Sequence, residues 1–292
     1  NEYNEILYSL FDWIIEPCLQ FIQKNCIVTL AVGQLHYVIS ILNLFEMYLK
    51  DALTESTEDK GKTTHFLIWA QAALILSVIW GMGGNLDIDS HIKFNSFCTS
   101  LWSGINKEHP RPEVIKGFEI TLPHEGLIQD NFYIFKGVGN WKYWGSADIL
   151  KNEQILENPD SIEIFVPTIN TIKYNHMILK HIKYRKPFII CGDMSIGKTC
   201  FIKTLLKNKL PEGIHSNLFN FTSLNTIIGT QQLLLSKLNK IRKRYYGLPE
   251  GQFCINFIDD LNVQRDENKS EMNNILELIR QYHNYGYLYN IN

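Results

Sequence analysis

Eight residues, Gly192-Asp193-Met194-Ser195-Ile196-Gly197-Lys198-Thr199, constrain this chain more than anything else in it. They complete the pattern G-x-x-x-x-G-K-[ST]. An apolar run, Phe188-Ile189-Ile190-Cys191, enters the motif, and Cys200, Phe201, Ile202, Leu205 and Leu206 leave it at helical spacing. A strand, a glycine loop and a helix in that order form a phosphate cradle, because loop N–H groups and the positive end of the helix converge on one anion. Gly192 and Gly197 let the chain turn tightly. Lys198 is expected to reach the β- and γ-phosphates, and the Thr199 hydroxyl to ligate Mg²⁺. All of Gly192 to Cys200 is expected to touch the nucleotide, with ATP and Mg²⁺ as the cofactors.

A second segment fits the first. Cys254-Ile255-Asn256-Phe257-Ile258 reads as an apolar strand and ends in two carboxylates, Asp259 and Asp260. Asp259 is expected to hold Mg²⁺ through its water shell, and Asp260 to stand where a carboxylate polarises the attacking water. An aspartate is shorter than the glutamate often found there, so hydrolysis is less secure than binding.

The rest of the chain sets the architecture. Apolar residues recur at helical spacing from Leu7 to Ala52, and a polar stretch, Thr54 to Thr64, reads as a loop. Phe66 to Met82 is apolar except for Gln71 and Ser77 and stops at Gly81, Gly83 and Gly84. It is short of the ~20 residues that span a bilayer and has no basic flank, so it is expected to be buried inside a helical domain. Lys107 to Pro159 holds prolines, glycines and the aromatics Phe132, Tyr133, Phe135, Trp141, Tyr143 and Trp144, a composition of short strands and turns that suits packing between domains. Beyond Pro159, a strand or extended lead-in at Ile162–Val166 and strands at Phe188–Cys191, Phe219–Phe221 and Cys254–Ile258 alternate with helices at Ile172–Lys183, Lys198–Asn208 and Thr226–Arg244. That alternation implies a parallel sheet flanked by helices. The expected fold is therefore an α/β P-loop domain over 160–292, preceded by an α-helical subdomain over 1–106 and a connecting β segment over 107–159.

Composition excludes several classes. The net charge of -2 and 20% charged residues nominate no polyanion. The basic run Lys237 to Arg244 is expected on a solvated helix face, with Leu238 and Ile241 inward, so no nucleic acid is expected as a partner. Six cysteines lack a CxxC pair and are expected to be reduced, cytoplasmic and mostly buried; no zinc site and no membrane contact are expected.

Around the two nucleotide motifs the residues become specific. Val166-Pro167-Thr168-Ile169-Asn170-Thr171-Ile172-Lys173-Tyr174 resembles the V-P-T-x-D-T-x-R-Y segment of the third AAA+ module of dynein heavy chains. Phe257-Ile258-Asp259-Asp260-Leu261-Asn262 is similar to the family's F-I-D-D-L-N, and Asn220-Phe221-Thr222 to its N-F-S strand. Upstream, Ile79-Trp80-Gly81-Met82-Gly83-Gly84-Asn85-Leu86-Asp87 with Lys93-Phe94 resembles I-W-S-x-G-G-x-L-D…K-F-D, which ends the small subdomain of the second module. Downstream, Glu277-Leu278-Ile279-Arg280-Gln281 and Gly286-Tyr287-Leu288-Tyr289 resemble E-L-L-R-Q and G-W-Y-D. The likeness covers nearly the whole chain in family order.

The resemblance implies a segment running from the small subdomain of the second AAA+ module to the middle of the large subdomain of the third. It implies that Asn220 orients the water-polarising carboxylate and that Val166, Pro167 and Thr168 line the adenine pocket. It implies neighbouring modules of the same heavy chain as partners. Microtubules and dynein intermediate and light chains would be met through regions outside these residues, in a cytoplasmic, cytoskeletal and ciliary or flagellar setting. Three departures stand out: Asp193 and Ser195 in the loop, Val263-Gln264 for Met-Pro, and Asn170 for aspartate. A motor ATPase module is the leading reading, and a module holding ATP or ADP without turnover is the alternative. A small-molecule kinase would need an acceptor site and lid that the sequence does not display.

Overall fold

The computed structural model describes residues 2–55, 65–115, 119–146, 149, 166–222, 225–261 and 269–288. Its contacts divide the chain into two compact units, Asn1–Met194 and Ser195–Asn292.

The first unit is built on four helices: α1 (Glu2–Asn25), α2 (Gln34–Glu55), α3 (Phe66–Gly81) and α4 (Ile88–Trp102). α3 is apolar all round, and twelve of its residues from Leu67 to Ile79 are buried, so protein packing absorbs the surface that a bilayer would otherwise take. Its two polar side chains are satisfied inside the helix. Gln71 Nε2 donates to the Leu67 carbonyl at 3.2 Å and Ser77 Oγ to that of Ala73 at 2.6 Å. α2 lies so close to α3 that a Cβ on Gly81 would meet the Ile41 side chain at 3.1 Å and its backbone N at 3.2 Å. Leu10, Ile14, Ile41, Met47, Leu74, Ile75, Phe94 and Leu101 form the centre of the core. Residues 26–33, expected to continue the helical pattern, instead form a link pinned by Asn85. The Asn85 side chain accepts from Leu30 N–H at 2.9 Å and donates to the Leu30 carbonyl at 2.7 Å.

The aromatic segment forms an antiparallel hairpin, β1 (Asn131–Ile134) and β2 (Asn140–Tyr143), in the same unit. Phe135 meets Trp69 of α3 edge-on at 6.3 Å, and Tyr133 packs on Trp141 at 5.0 Å. A fifth helix, α5 (Ile169–Lys183), begins where Thr168 caps it: Thr171 N–H donates to Thr168 Oγ1 at 3.3 Å, and Thr168 N–H to Thr171 Oγ1 at 2.7 Å.

The second unit carries α6 (Lys198–Asn208), β3 (Ile214–Asn220), α7 (Ile227–Leu235), the hairpin β4 (Asn239–Arg242) and β5 (Tyr245–Gly247), β6 (Phe253–Asp259) and α8 (Lys269–Tyr285). β3 and β6 pair in parallel, from Ile214 opposite Phe253 to Asn220 opposite Asp259. Phe219, Phe221, Leu234 and Ile275 form this unit's own cluster. Buried Asn217 ties the pair to α7, donating to the Leu233 carbonyl at 2.6 Å and to Asn256 Oδ1 at 3.0 Å. The α/β P-loop class stands, with helices and a parallel pair that follow a helical region in the sequence.

Four expectations need correction. Phe188–Cys191 is not a strand: among the described residues nothing forms a ladder with it, and Ile189 is 74% exposed. The helix expected over Thr226–Arg244 ends at Leu235, and the basic run forms the β4–β5 hairpin with Ile241 67% exposed rather than inward. The short strand expected at Phe219–Phe221 begins at Ile214 and ends at Asn220, with Phe221 beyond it. Of the cysteines, Cys191 and Cys200 are exposed; all six are free. Of the strand or extended lead-in expected over Ile162–Val166, Val166 is described and lies in no strand; residues 162–165, most of the loop expected over 54–64, and Asn262, Val263, Gln264 and Tyr289 lie outside the described residues.

Candidate nucleotide site

The chain passes from one unit to the other within the glycine loop. Gly192, Asp193 and Met194 belong to the first unit, and Ser195 to Cys200 to the second. Gly192 through Gly197 are exposed, with Met194 at 91%. Ser195 and Gly197 both take positive φ, 62° and 86°, and that left-handed pair turns the loop into the helix. At Gly197 no heavy atom lies within 4 Å of an ideal Cβ, so the backbone angle, not crowding, favours glycine there.

Gly197 stands immediately before α6 and supplies no side-chain cap. The first turn of α6 therefore has no side-chain acceptor at its cap position, and the positive end of the helix dipole lies there. Lys198 and Thr199 open that turn and are half-buried, while Cys200 is exposed. Ile202, Leu205 and Leu206 bury the opposite face of α6, which packs on β3.

β3 and β6 bring the other candidates together. Asn220 and Asp259 are register partners at the carboxyl ends of the two strands, where parallel α/β sheets place their ligands. Asp259 is half-buried; Asn220 and Asp260 are exposed. Asp260 N–H donates to Asp259 Oδ1 at 3.1 Å, and a φ of 54° at Asp260 turns the chain out of the strand. Burial pushes the Cys254 thiol of β6 up, which keeps it protonated and unreactive. An open groove of about 500 Å³ begins two residues past Asn220, lined by Thr222, Asn225, Thr226 and Gln232 among others. Thr222 N–H donates to Asn225 Oδ1 at 2.8 Å.

Val166, Pro167 and Thr168 lie in the first unit. Val166 is 58% exposed and Thr168 caps α5, so the structure gives Thr168 a helix-capping role that the sequence reading did not assign.

One cluster escaped the sequence reading. Asp51 of α2 accepts from Lys180 and Lys183 of α5 and from the Tyr184 hydroxyl, with the Asp51 side chain 17% exposed and that of Lys180 6%. The Lys180 ammonium also sits 4.4 Å from the centre of the Tyr48 ring. Burial alone would raise the Asp51 carboxyl; the hydrogen bonds from Lys180, Lys183 and Tyr184 outweigh it and hold the group below its ordinary range. Lys186 adds a bridge to Glu46 at 2.8 Å. No local signal reveals this cluster, because its partners lie 129 to 133 residues apart.

Two family models match the chain: "Dynein heavy chain AAA lid domain" over residues 7–146 and "P-loop containing dynein motor region" over residues 153–292. The chain belongs to the dynein heavy chain family. The lid match takes in α1 to α4 and the β1–β2 hairpin, and the P-loop match takes in every motif of the second unit. Dynein axonemal heavy chain 12 of Homo sapiens is 31% identical over 300 residues, covering 99% of this chain and 9% of the relative. Its counterpart in Rattus norvegicus is 30% identical over 294 residues, covering 99% and 9%. Dynein axonemal heavy chain 3 of Homo sapiens is 27% identical over 294 residues, covering 98% and 7%. The chain thus spans less than a tenth of the length of these dynein relatives. Nucleotide binding is the chemistry that a P-loop dynein motor region implies, and the recognition made from V-P-T, F-I-D-D-L-N and I-W-G-x-G-G-x-L-D is borne out.

Proposed function

We propose that this chain binds ATP with Mg²⁺ at the loop Gly192–Thr199, as a module of an ATP-driven, minus-end-directed microtubule motor of the axoneme. The observation that carries the reading is the uncapped start of α6 behind Gly197, in the same unit as the Asn220–Asp259 pair. Lys198 supplies a point charge for the β- and γ-phosphates, and the first-turn amides of α6 supply the donors. A hydroxyl at Thr199 and a half-buried carboxylate at Asp259 are hard oxygen donors and fit Mg²⁺. When bound, the ion neutralises charge on the phosphates. Asp260 accepts a proton from the attacking water, and Asn220 orients the carboxylate. Val166, Pro167 and Thr168 line the adenine side.

The module division follows the same reading: 1–106 is the small subdomain of one AAA+ module, 107–159 the connection, and 160–292 part of the large subdomain of the next. Neighbouring modules of the same heavy chain are its immediate partners. Microtubules and the intermediate and light chains are met by parts of the heavy chain outside these residues.

A second reading, in which ATP or ADP is held without turnover, is favoured by Asp260 itself. It is short, exposed and set in a left-handed turn, so its carboxylate reaches less far than a glutamate would. Turnover in the complete heavy chain separates the two. Asp260→Asn lowers the ATPase attributable to this module if it hydrolyses, and leaves it unchanged if the nucleotide is structural.

A further inference from the structure

The β4–β5 hairpin is the most unevenly charged part of the second unit. Lys237, Lys240, Arg242, Lys243 and Arg244 fall within eight residues, and no Asp or Glu occurs from Lys237 to Pro249. All five cations are exposed, and among the described residues none is ion-paired with a carboxylate. The whole chain is -2, so the remainder of it is acidic.

The hairpin also presents apolar surface beside the charge. Ile241 is 67% exposed, Tyr245 56% and Tyr246 44%. The Arg242 guanidinium lies 3.9 Å from the centre of the Tyr245 ring, which holds its fork in place. Arg242 faces Tyr245 across a two-residue turn, Lys243-Arg244, with Arg244 at φ 67° where glycine or asparagine is the usual choice. An isolated two-stranded ribbon gains little stability from itself. Here it is spent on a cationic tip with aromatic and aliphatic flanks.

We infer that this hairpin is a docking surface for a carboxylate-rich polypeptide segment with apolar side chains between its acids. Arg242 and Arg244 offer planar forks that match carboxylates, Lys240 and Lys243 supply point charges, and Ile241 with Tyr246 supplies the apolar contact. Four strand residues span about 13 Å, a few residues of an extended peptide. A polypeptide suits the mixed surface better than a nucleic acid, for which the described residues offer no groove-reading element and the chain no overall positive charge. The inference is independent of nucleotide binding at the glycine loop.

Fluorescence anisotropy of the whole chain with a short labelled peptide of alternating Glu and Tyr tests it, at low salt and again near physiological ionic strength. Saturable binding is expected, weakened about tenfold or more by Lys240→Glu with Arg242→Glu, and about threefold by Ile241→Ser. The control Lys203→Glu with Lys207→Glu, on the exposed face of α6, should leave it unchanged. Circular dichroism confirms that each variant is folded. The inference is overturned if the folded chain does not bind the peptide saturably or if the α6 control weakens binding equally. It is also overturned if Ile241→Ser has no effect, or if a single-stranded oligonucleotide or phosphatidylserine vesicle binds more tightly than the peptide.

Discussion

Asn220 and Asp259 stand opposite each other at the ends of parallel strands β3 and β6, and the next amide, Phe221 N–H, closes the ladder on the Asp259 carbonyl at 2.9 Å. The strand ends therefore fix where both side chains begin, and neither needs the other in order to fold. Asp259→Asn is expected to remove the Mg²⁺-dependent part of ATP affinity while moving the thermal midpoint little. Titration of ATP with and without Mg²⁺, beside a melting curve, checks it; a collapsed fold would show Asp259 to be structural instead.

Gly197 should tolerate no side chain. Its φ of 86° makes Gly197→Ala unfavourable by roughly 1–2 kcal/mol although the space around it is open. Loss of stability together with weaker ATP binding is expected in urea unfolding and calorimetry. An alanine variant that matches the parent in both would mean that the loop adopts another backbone.

Asp51 anchors α5 to α2. Removing its carboxylate takes a charged acceptor from the buried Lys180 ammonium, from Lys183 and from the Tyr184 hydroxyl, so Asp51→Ala should destabilise the first unit by about 1–3 kcal/mol. Urea unfolding measures this directly. A loss well under a kilocalorie would show that the cluster is solvated and weak.

Acid should weaken the first unit in two stages. His176 packs on Trp144 at 5.0 Å and is held down to about 4, first by burial and then by Lys180 and Lys183, with Asp51 opposing. Its folded value lies below its unfolded one, so the stability tied to its neutral form is present above about pH 6.5 and is lost as pH falls towards 4. Asp51, also lowered, holds its contribution until pH drops below the ordinary carboxylate range and loses it through the still lower folded value. His176→Gln should flatten the upper stage and leave the lower one. An unfolding midpoint indifferent to pH between 6.5 and 4 in the parent chain would contradict the burial of His176.

What the sequence disclosed and what it hid follow from the range of the interactions. Helices α3, α5 and α6 were legible because apolar spacing and glycine stops are local: Gly81 closes α3, whereas α5 was read only from Ile172 because its Thr168 cap went unrecognised. The glycine loop and the Cys254–Asp259 strand were legible as motifs set in the right local pattern. Phe188–Cys191 was not, because an apolar run of four satisfies the strand pattern without naming a partner, and strands exist by pairing. Lys237–Arg244 misled because Leu238 and Ile241, three residues apart, also fit one helical face. The sheet signal lay further on, in Tyr245-Tyr246-Gly247. The Asp51 cluster was invisible because only the tertiary fold brings α2 to α5.

Mg²⁺-dependent ATP binding by calorimetry, comparing the chain with Lys198→Ala after both are shown to be folded, tests the central claim most directly. Saturable binding by the parent chain, weakened by about ten- to a hundredfold on losing the charge-assisted contacts of Lys198, is the predicted result. Equal affinity in the two folded chains, or no binding by the parent, would contradict a working phosphate site at Gly192–Thr199.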